Sequence, residues 1–322
     1  MPYFLILLLS ILTPLMCLSD SNLVKVAISA TPLSSPLIIA KEKGYFKRQG
    51  VAVEFKIVIG GMRAAKSLNK GEVDMATSSE AVIMFNSFKN NNFVVLSTFV
   101  SSNNDVKVLA MKDKGIKSLE DLTGKRVGTI LGTSAHFFLD YTMLAYGIDT
   151  QNMDIININP EDTSTVLQQK KVDAVVSWEP FIYLAMKKLE QRGFIIEHEK
   201  LYNETFNLLA NKKWAINHQS QIVSFLKALE QSIHFINQNP SQSQQIVASF
   251  LDQDLAIIKA SWQDLNFSLG LHQWLLYLLD AEAAWAIKRE FIKPEKKFNY
   301  LDFFMLEPMK IVKPGAISII SH

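Results

Sequence analysis

Small hydroxyl residues and glycines recur in this chain just where apolar strand patterns give way to helical ones. "TPLSSP", Thr31 to Pro36, carries Thr31, Ser34 and Ser35 ahead of a helix, with Ser35 as its expected cap and Pro36 at its first position. "GGMRAA" (Gly60 to Ala65), "TSSEA" (Thr77 to Ala81) and "LGTSAHFFL" (Leu131 to Leu139) repeat the arrangement, as do "NPEDTST" (Asn159 to Thr165) and "SWEPF" (Ser177 to Phe181). Glycine lets a backbone approach closely, and Ser or Thr satisfies a helix start. Helix N-termini present unpaired N–H groups and a partial positive charge. One such loop is ordinary capping. Several converging on one point make an anion site that needs no metal.

The elements that must position these loops alternate. Strand patterns at Val24–Ser29, Ala52–Ile59, Met75–Thr77, Phe93–Val100 and Val106–Met111 are interleaved with helical ones at Pro36–Lys43, Met62–Asn69 and Glu80–Lys89. A second set follows: strands at Arg126–Leu131, Asp154–Ile158, Ala174–Trp178 and Phe194–Glu197, and helices at Ser134–Tyr146, Asp162–Gln169 and Pro180–Gln191. This βα rhythm predicts parallel-rich sheets covered by helices, with the loops gathered at the strands' carboxyl ends, where ligands bind. The blocks 24–105 and 108–200 read as similar halves, hence two lobes. Gln219 to Glu290 reads as helix almost throughout, with breaks at Asn239-Pro240 and near Phe267–Gly270; Ile222, Phe225, Leu226, Leu229 and Ile233 make a core stripe.

Composition bounds the function. The chain has 322 residues, 48% hydrophobic and 20% charged, which is globular and leaves room for two medium domains. A net charge of +2 with no dense Lys/Arg run argues against a nucleic-acid partner, and Lys296-Lys297 reads as a solvated pair. Residues 1–19 suit a secretory signal peptide, with an apolar run at Phe4–Leu12 and small residues near Ser19, although no Lys or Arg precedes the run. The single cysteine, Cys17, lies within it, and Leu15-Met16 ahead of it matches a lipid-attachment site poorly. Cleavage after Ser19 leaves a chain with no thiol nucleophile, disulfide or cysteine metal site. The sequence contains no HExxH, GxSxG, Walker loop or GxGxxG, so no cofactor or metal is expected.

Five segments in order, "PLIIAKEKGYFKRQGVAVEF", "LNKGEVDMATSS", "IKSLEDLTGKRVGTILGTSAHFFLDYTMLAYGID", "QQKKVDAVVSWEPF" and "YLDFFMLEPMKIVKPGAISII", resemble the sulfonate, taurine and nitrate group of ABC-importer solute-binding proteins. That group includes binders of thiamine-pyrimidine precursors, and the likeness covers nearly the whole mature chain. It implies an α/β, two-lobed periplasmic binding protein of type II: lobe one from 20–105 and 205–322 with the C-terminal helices, and lobe two from 106–204. The crossings are expected near Asn104–Lys107 and Asn203–Phe206, with the ligand in the cleft between lobes.

Carried over to this chain, the resemblance implies that Thr31, Ser34, Ser35, Ser78, Ser79 and Glu80 face the cleft from lobe one. Gly132, Thr133, Ser134 and Ala135 would grip the anionic end from lobe two. His136 would donate to the anion and Arg63 would pair with an acidic ligand. Trp178 would lie against the ligand and Glu179 would pair with an amine. The expected function is extracytoplasmic capture of a small anionic or zwitterionic molecule by a periplasmic, monomeric protein that hands it to a membrane permease. A sulfonate or taurine-like ligand is the first expectation and a pyrimidine precursor the second. Two other classes compete: a pyrimidine-forming enzyme, which would need reactive cysteine or histidine at the cleft, and a sensor that reports ligand to a partner other than a permease.

Overall fold

The computed structural model describes residues 23–293 and 299–320. The expected signal peptide, Cys17 and Lys296-Lys297 lie outside the described residues. The chain forms two mixed α/β sheets, each with its own apolar core.

The first sheet has strand order β11-β4-β10-β3-β1-β2. Its strands are β1 (Leu23–Ser29), β2 (Ala52–Val58), β3 (Met75–Ser79), β4 (Phe93–Ser102), β10 (Glu204–Asn211) and β11 (Leu265–Gly270). Here β1 runs parallel to β2 and β3, whereas β10 runs antiparallel to β3 and β4, and β11 antiparallel to β4. The second sheet has order β7-β6-β8-β5-β9. It consists of β5 (Val106–Met111), β6 (Arg126–Thr129), β7 (Asp154–Asn157), β8 (Ala174–Trp178) and β9 (Gly193–Ile195). Again the βα strands β6, β7 and β8 are parallel, and β5 is antiparallel to β8 and β9. The sheets are therefore less parallel than the βα rhythm predicts. Each strand that enters from the other lobe comes in against the direction of the strands already there.

Helices cover both sheets. They are α1 (Ser35–Glu42), α2 (Tyr45–Arg48), α3 (Gly61–Asn69), α4 (Glu80–Ser87), α5 (Ser134–Ala145), α6 (Thr163–Gln168), α7 (Phe181–Leu189) and α8 (Lys212–Asn217). After these come α9 (Gln219–Gln238), α10 (Pro240–Leu251), α11 (Leu255–Trp262), α12 (Gln273–Lys288) and α13 (Glu307–Val312). The predicted stripe of α9 is buried in the first core, from Ile222 to Ile233. The break expected near Phe267–Gly270 is an edge strand, β11: Leu265, Phe267 and Leu269 point inward while Asn266 and Ser268 do not, the period-2 pattern of a one-sided strand. The chain passes between sheets twice, from β4 to β5 across Asn103–Asp105 and from β9 to β10 across Ile196–Asn203.

A third connection comes from α12. Leu275, Leu279 and Ala283 belong to the first core, yet Leu278 and Trp285 pack against the second. Trp285 Nε1 donates to Asp140 Oδ2 of α5 at 2.8 Å, and Arg289 Nε lies 3.0 Å from the same oxygen. Thr150 Oγ1 donates to Asp140 Oδ1 and accepts from Arg289 at 2.8 Å. Among the described residues no helix is long and apolar enough to cross a membrane.

Candidate functional site

The loops singled out in the sequence end the strands of both sheets and meet at one cleft. Its empty volume is ≈ 610 Å³, counting the open mouth. Lobe one contributes Ser29, Thr31, Leu33, Gly60, Gly61, Met62, Arg63, Ser79 and Val82; lobe two contributes Ile130, Thr133, Ser134, Asn159, Pro160 and Trp178. Glu204 and Phe206, at the start of β10, are also among the lining residues.

Two glycines let α3 start where it does. Gly60 has φ +80°, a conformation that favours glycine, and its N–H donates to Ser29 Oγ at 3.2 Å. A Cβ on Gly61 would lie 2.9 Å from Ser78 Cα, so only glycine seats the first turn of α3 against the end of β3. A Cβ on Gly60 would be 3.4 Å from the Trp178 ring, which therefore reaches from lobe two to the lip of lobe one.

The hydroxyls behave differently from the expected caps. Thr133 and Ser79 occupy the N-cap positions of α5 and α4, and neither accepts a bond from its helix. Thr133 Oγ1 instead donates backwards to Ile130 O at 2.6 Å, as Ser35 does to Pro32 O at 2.5 Å and Thr163 to Pro160 O at 2.7 Å. The turn is thereby tied from its carbonyl side, and the first-turn N–H groups of α3, α4 and α5 keep the donor capacity that capping would have used. The buried Thr31 Oγ1, on the cleft wall, has no hydrogen-bond partner among the described residues, and neither has Glu204 Oε2.

Of the residues expected to face a ligand, Thr31, Arg63, Ser79, Thr133, Ser134 and Trp178 are together on the cleft wall. The others sit elsewhere for stated reasons. Ser34 and Ser35 are buried in the turn that opens α1; a 3-10 turn at Pro32–Ser34 runs straight into the helix, so helical structure begins three residues before Ser35. Ser78 Oγ donates to Gly61 O at 3.3 Å, behind the wall. Ala135 is packed in the second core.

Glu80 is fully buried and accepts from Thr205 N at 2.7 Å, from Thr205 Oγ1 at 2.8 Å and from the Tyr202 hydroxyl, fastening α4 to the second crossing. Burial pushes its carboxyl up. Gly132 and His136 line an adjoining groove with Met62, Lys66, Phe85 and Phe291. The His136 ring lies edge-on to Trp285 at 5.0 Å and against Phe291 at 4.5 Å, and burial lowers its pKa to about 4, so it is neutral at pH 7 and offers no cation to an anion. Glu179 also departs from expectation: Lys107 Nζ lies 2.7 Å from Oε1, and Oε2 accepts from Tyr183 N at 2.9 Å. With its oxygens so engaged, it is a buried ion pair beside the first crossing. Arg63 forms a fork with Glu161 of lobe two, 2.5 and 3.2 Å, closing the mouth of the cleft.

Sequence reasoning missed Glu204. Burial comes first, then the carboxylates of Asp105 and Glu80, in pushing its carboxyl well up, while the Ser134 side chain bonds it. Asp105 is likewise pushed up to about 8 by burial and by Glu179. The only hint in the sequence is a glutamate heading the apolar run "ETFNLLA". Among the described residues no cluster of His, Cys, Asp and Glu could hold a metal ion.

A family model described as "NMT1/THI5 like" matches residues 31–243. The taurine-binding periplasmic protein of Escherichia coli is 23% identical over 65% of this chain and 65% of its own length. The 4-amino-5-hydroxymethyl-2-methylpyrimidine phosphate synthase of Aspergillus parasiticus is 28% identical over 43% of this chain and 40% of its own. Among solved structures, the periplasmic aliphatic sulphonate binding protein SsuA from Escherichia coli superposes with a TM-score of 0.75 at 17% identity, covering 89% of this chain and 98% of that one. That likeness carries the fold: two lobes of the periplasmic-binding type.

Proposed function

The chain belongs to the NMT1/THI5-like family, and from that premise we propose that it is a solute-binding protein of an ABC importer which captures a small anionic or zwitterionic organic molecule, sulfonate- or taurine-like, in the interlobe cleft. One observation carries the reading: uncapped helix starts from both lobes, α3 and α4 from one and α5 from the other, face a single cleft beside Arg63. An oxyanion there would accept from N–H groups of both lobes at once. Ligand bridging the lobes stabilises the closed arrangement by exactly its differential affinity for it, and the closed form is what a membrane permease would receive. Thr31 and Ser79 supply hydroxyls, and Trp178 supplies an apolar wall.

A second reading, an aminopyrimidine, is favoured by the carboxyl of Glu204 lying in a cleft that Trp178 also lines. It draws on the name of the Aspergillus relative. The reading is of a binder and not of an enzyme; the chemistry facing the cleft is hydroxyl, amide, guanidinium and carboxyl.

A thermal-shift and calorimetric panel tests this: ethanesulfonate, taurine, nitrate, simple amines and 4-amino-5-hydroxymethyl-2-methylpyrimidine. A ligand at a hundred times its Kd stabilises by about 2.7 kcal/mol, a shift of several degrees in Tm. Stabilisation by sulfonates is expected. Stabilisation by the pyrimidine alone would transfer the assignment to the second reading, and by amines alone would end both.

A further inference from the structure

The cleft contains a carboxyl group where the preceding reading puts an anion. Glu204 is 3% exposed, lines the cleft, and leaves Oε2 without a hydrogen-bond partner among the described residues. The side chain of Ser134, the first residue of α5, acts on its carboxyl by hydrogen bonding, which by itself favours the ionised form, and places Glu204 beside the helix start that would receive the oxyanion. An ionised Glu204 would repel that ligand at close range.

The surroundings decide which form is present. The carboxyls of Glu80 on α4 and of Asp105 in the first crossing act on it electrostatically, as it does on Glu282 of α12, and Tyr202 lies two residues before it. Glu282 is fully buried and neither of its oxygens has a partner among the described residues. Lys107 is near Asp105, but its ammonium is held by Glu179 at 2.7 Å, and Arg63 at the mouth is held by Glu161. Several carboxyl groups sharing one dry region, with the nearby described cations held by Glu179 and Glu161, do not all ionise.

We propose that Glu204 is a specificity-determining residue of the cleft, a neutral carboxylic acid that donates a hydrogen bond to the ligand's oxyanion beside the start of α5. This rests on the anion reading above and sharpens it. The favoured class is a permanently ionised oxyanion, such as a sulfonate, which cannot take the proton away; a ligand's ammonium at this position is disfavoured. One proton stays with each bound anion. Burial and the neighbouring carboxylates push Glu204 up in the folded protein, the direction that favours the acid form. Affinity then holds below the pKa of Glu204 and falls up to tenfold per pH unit above it.

The test uses the full chain with ethanesulfonate as probe, followed by calorimetry, and 13C NMR of the Glu204 carboxyl identified by its loss in E204Q. The expected results are an acid-form carboxyl at pH 7 in the free protein, affinity within about threefold of wild type for E204Q, and about tenfold weaker binding for E204A. A Glu204 carboxyl ionised at pH 7, or E204Q abolishing binding that wild type shows, overturns this proposal alone. Wild type that binds no sulfonate or nitrate overturns the anion reading and this proposal with it.

Discussion

The two lobes are joined across the cleft by two ties of opposite character. At the mouth, Arg63 of α3 and Glu161 of lobe two form a bidentate ion pair whose side chains are 44% and 37% exposed. At the back, Asp140 of α5 accepts from Trp285 and Thr150 and pairs with Arg289, and its side chain is only 7% exposed. Water competes for the first and is kept from the second. An exposed pair contributes about 0–1 kcal/mol, whereas removing one partner of a buried pair costs about 3–5 kcal/mol because the other charge is left without compensation. The lesson is that one side of the cleft is built to yield and the other to hold.

The comparison can be broken most directly at the back. Asp140→Ala should lower folding stability by about 3 kcal/mol, read as a drop in the denaturant midpoint, since it leaves the Trp285 N–H without its acceptor and leaves Arg289 the exposed Asp149, at 3.5 Å, as its remaining carboxylate. If Asp140→Ala costs no more than a mouth substitution, the contrast between the ties is wrong. A pH series sharpens the same contrast. His136 packs against Trp285, and burial brings its pKa to about 4, below its ordinary 6.5. The unfolded chain therefore binds the extra proton between those values, so stability from this group is complete above pH 6.5 and lost as pH falls toward 4. The loss should amount to about 3 kcal/mol, and His136→Phe should flatten that part of the pH–stability curve. An unchanged slope in His136→Phe would detach this ring from the back tie. The smallest effect on folding is expected from Arg63→Gln, below about 1 kcal/mol, with unfolding and ligand titration measured on the same sample. Ligand affinity should nonetheless fall, because Arg63 also lines the cleft.

Much of the fold could be read from local pattern. Strands such as Val106–Met111 and Ala174–Trp178 fall where the apolar runs predict them, and α5 starts at the predicted Ser134. What escaped was set by distant partners. β10 carries no strand signal beyond "ETFNLLAN", yet it sits between β3 and β4 because the second crossing delivers it there. Glu179 and Glu204 make the point for the site. Both are acidic residues near crossings; Glu179 reads as an amine partner because Lys107 is far from it in sequence, and Glu204 is passed over because nothing nearby in sequence shows the cleft it faces. The loops themselves were legible, since glycine, serine and threonine at strand ends report local backbone needs. Which hydroxyl turns inward is settled by packing that no short window contains, as Ser34 and Thr31 illustrate.

The anchoring of α5 by α12 also has a mechanical meaning. A door pinned at its jamb moves least there and most at its free edge. If the lobes part with the contact of Asp140 and Trp285 kept, the motion falls on the exposed pair of Arg63 and Glu161, and the gap opens where the solute enters.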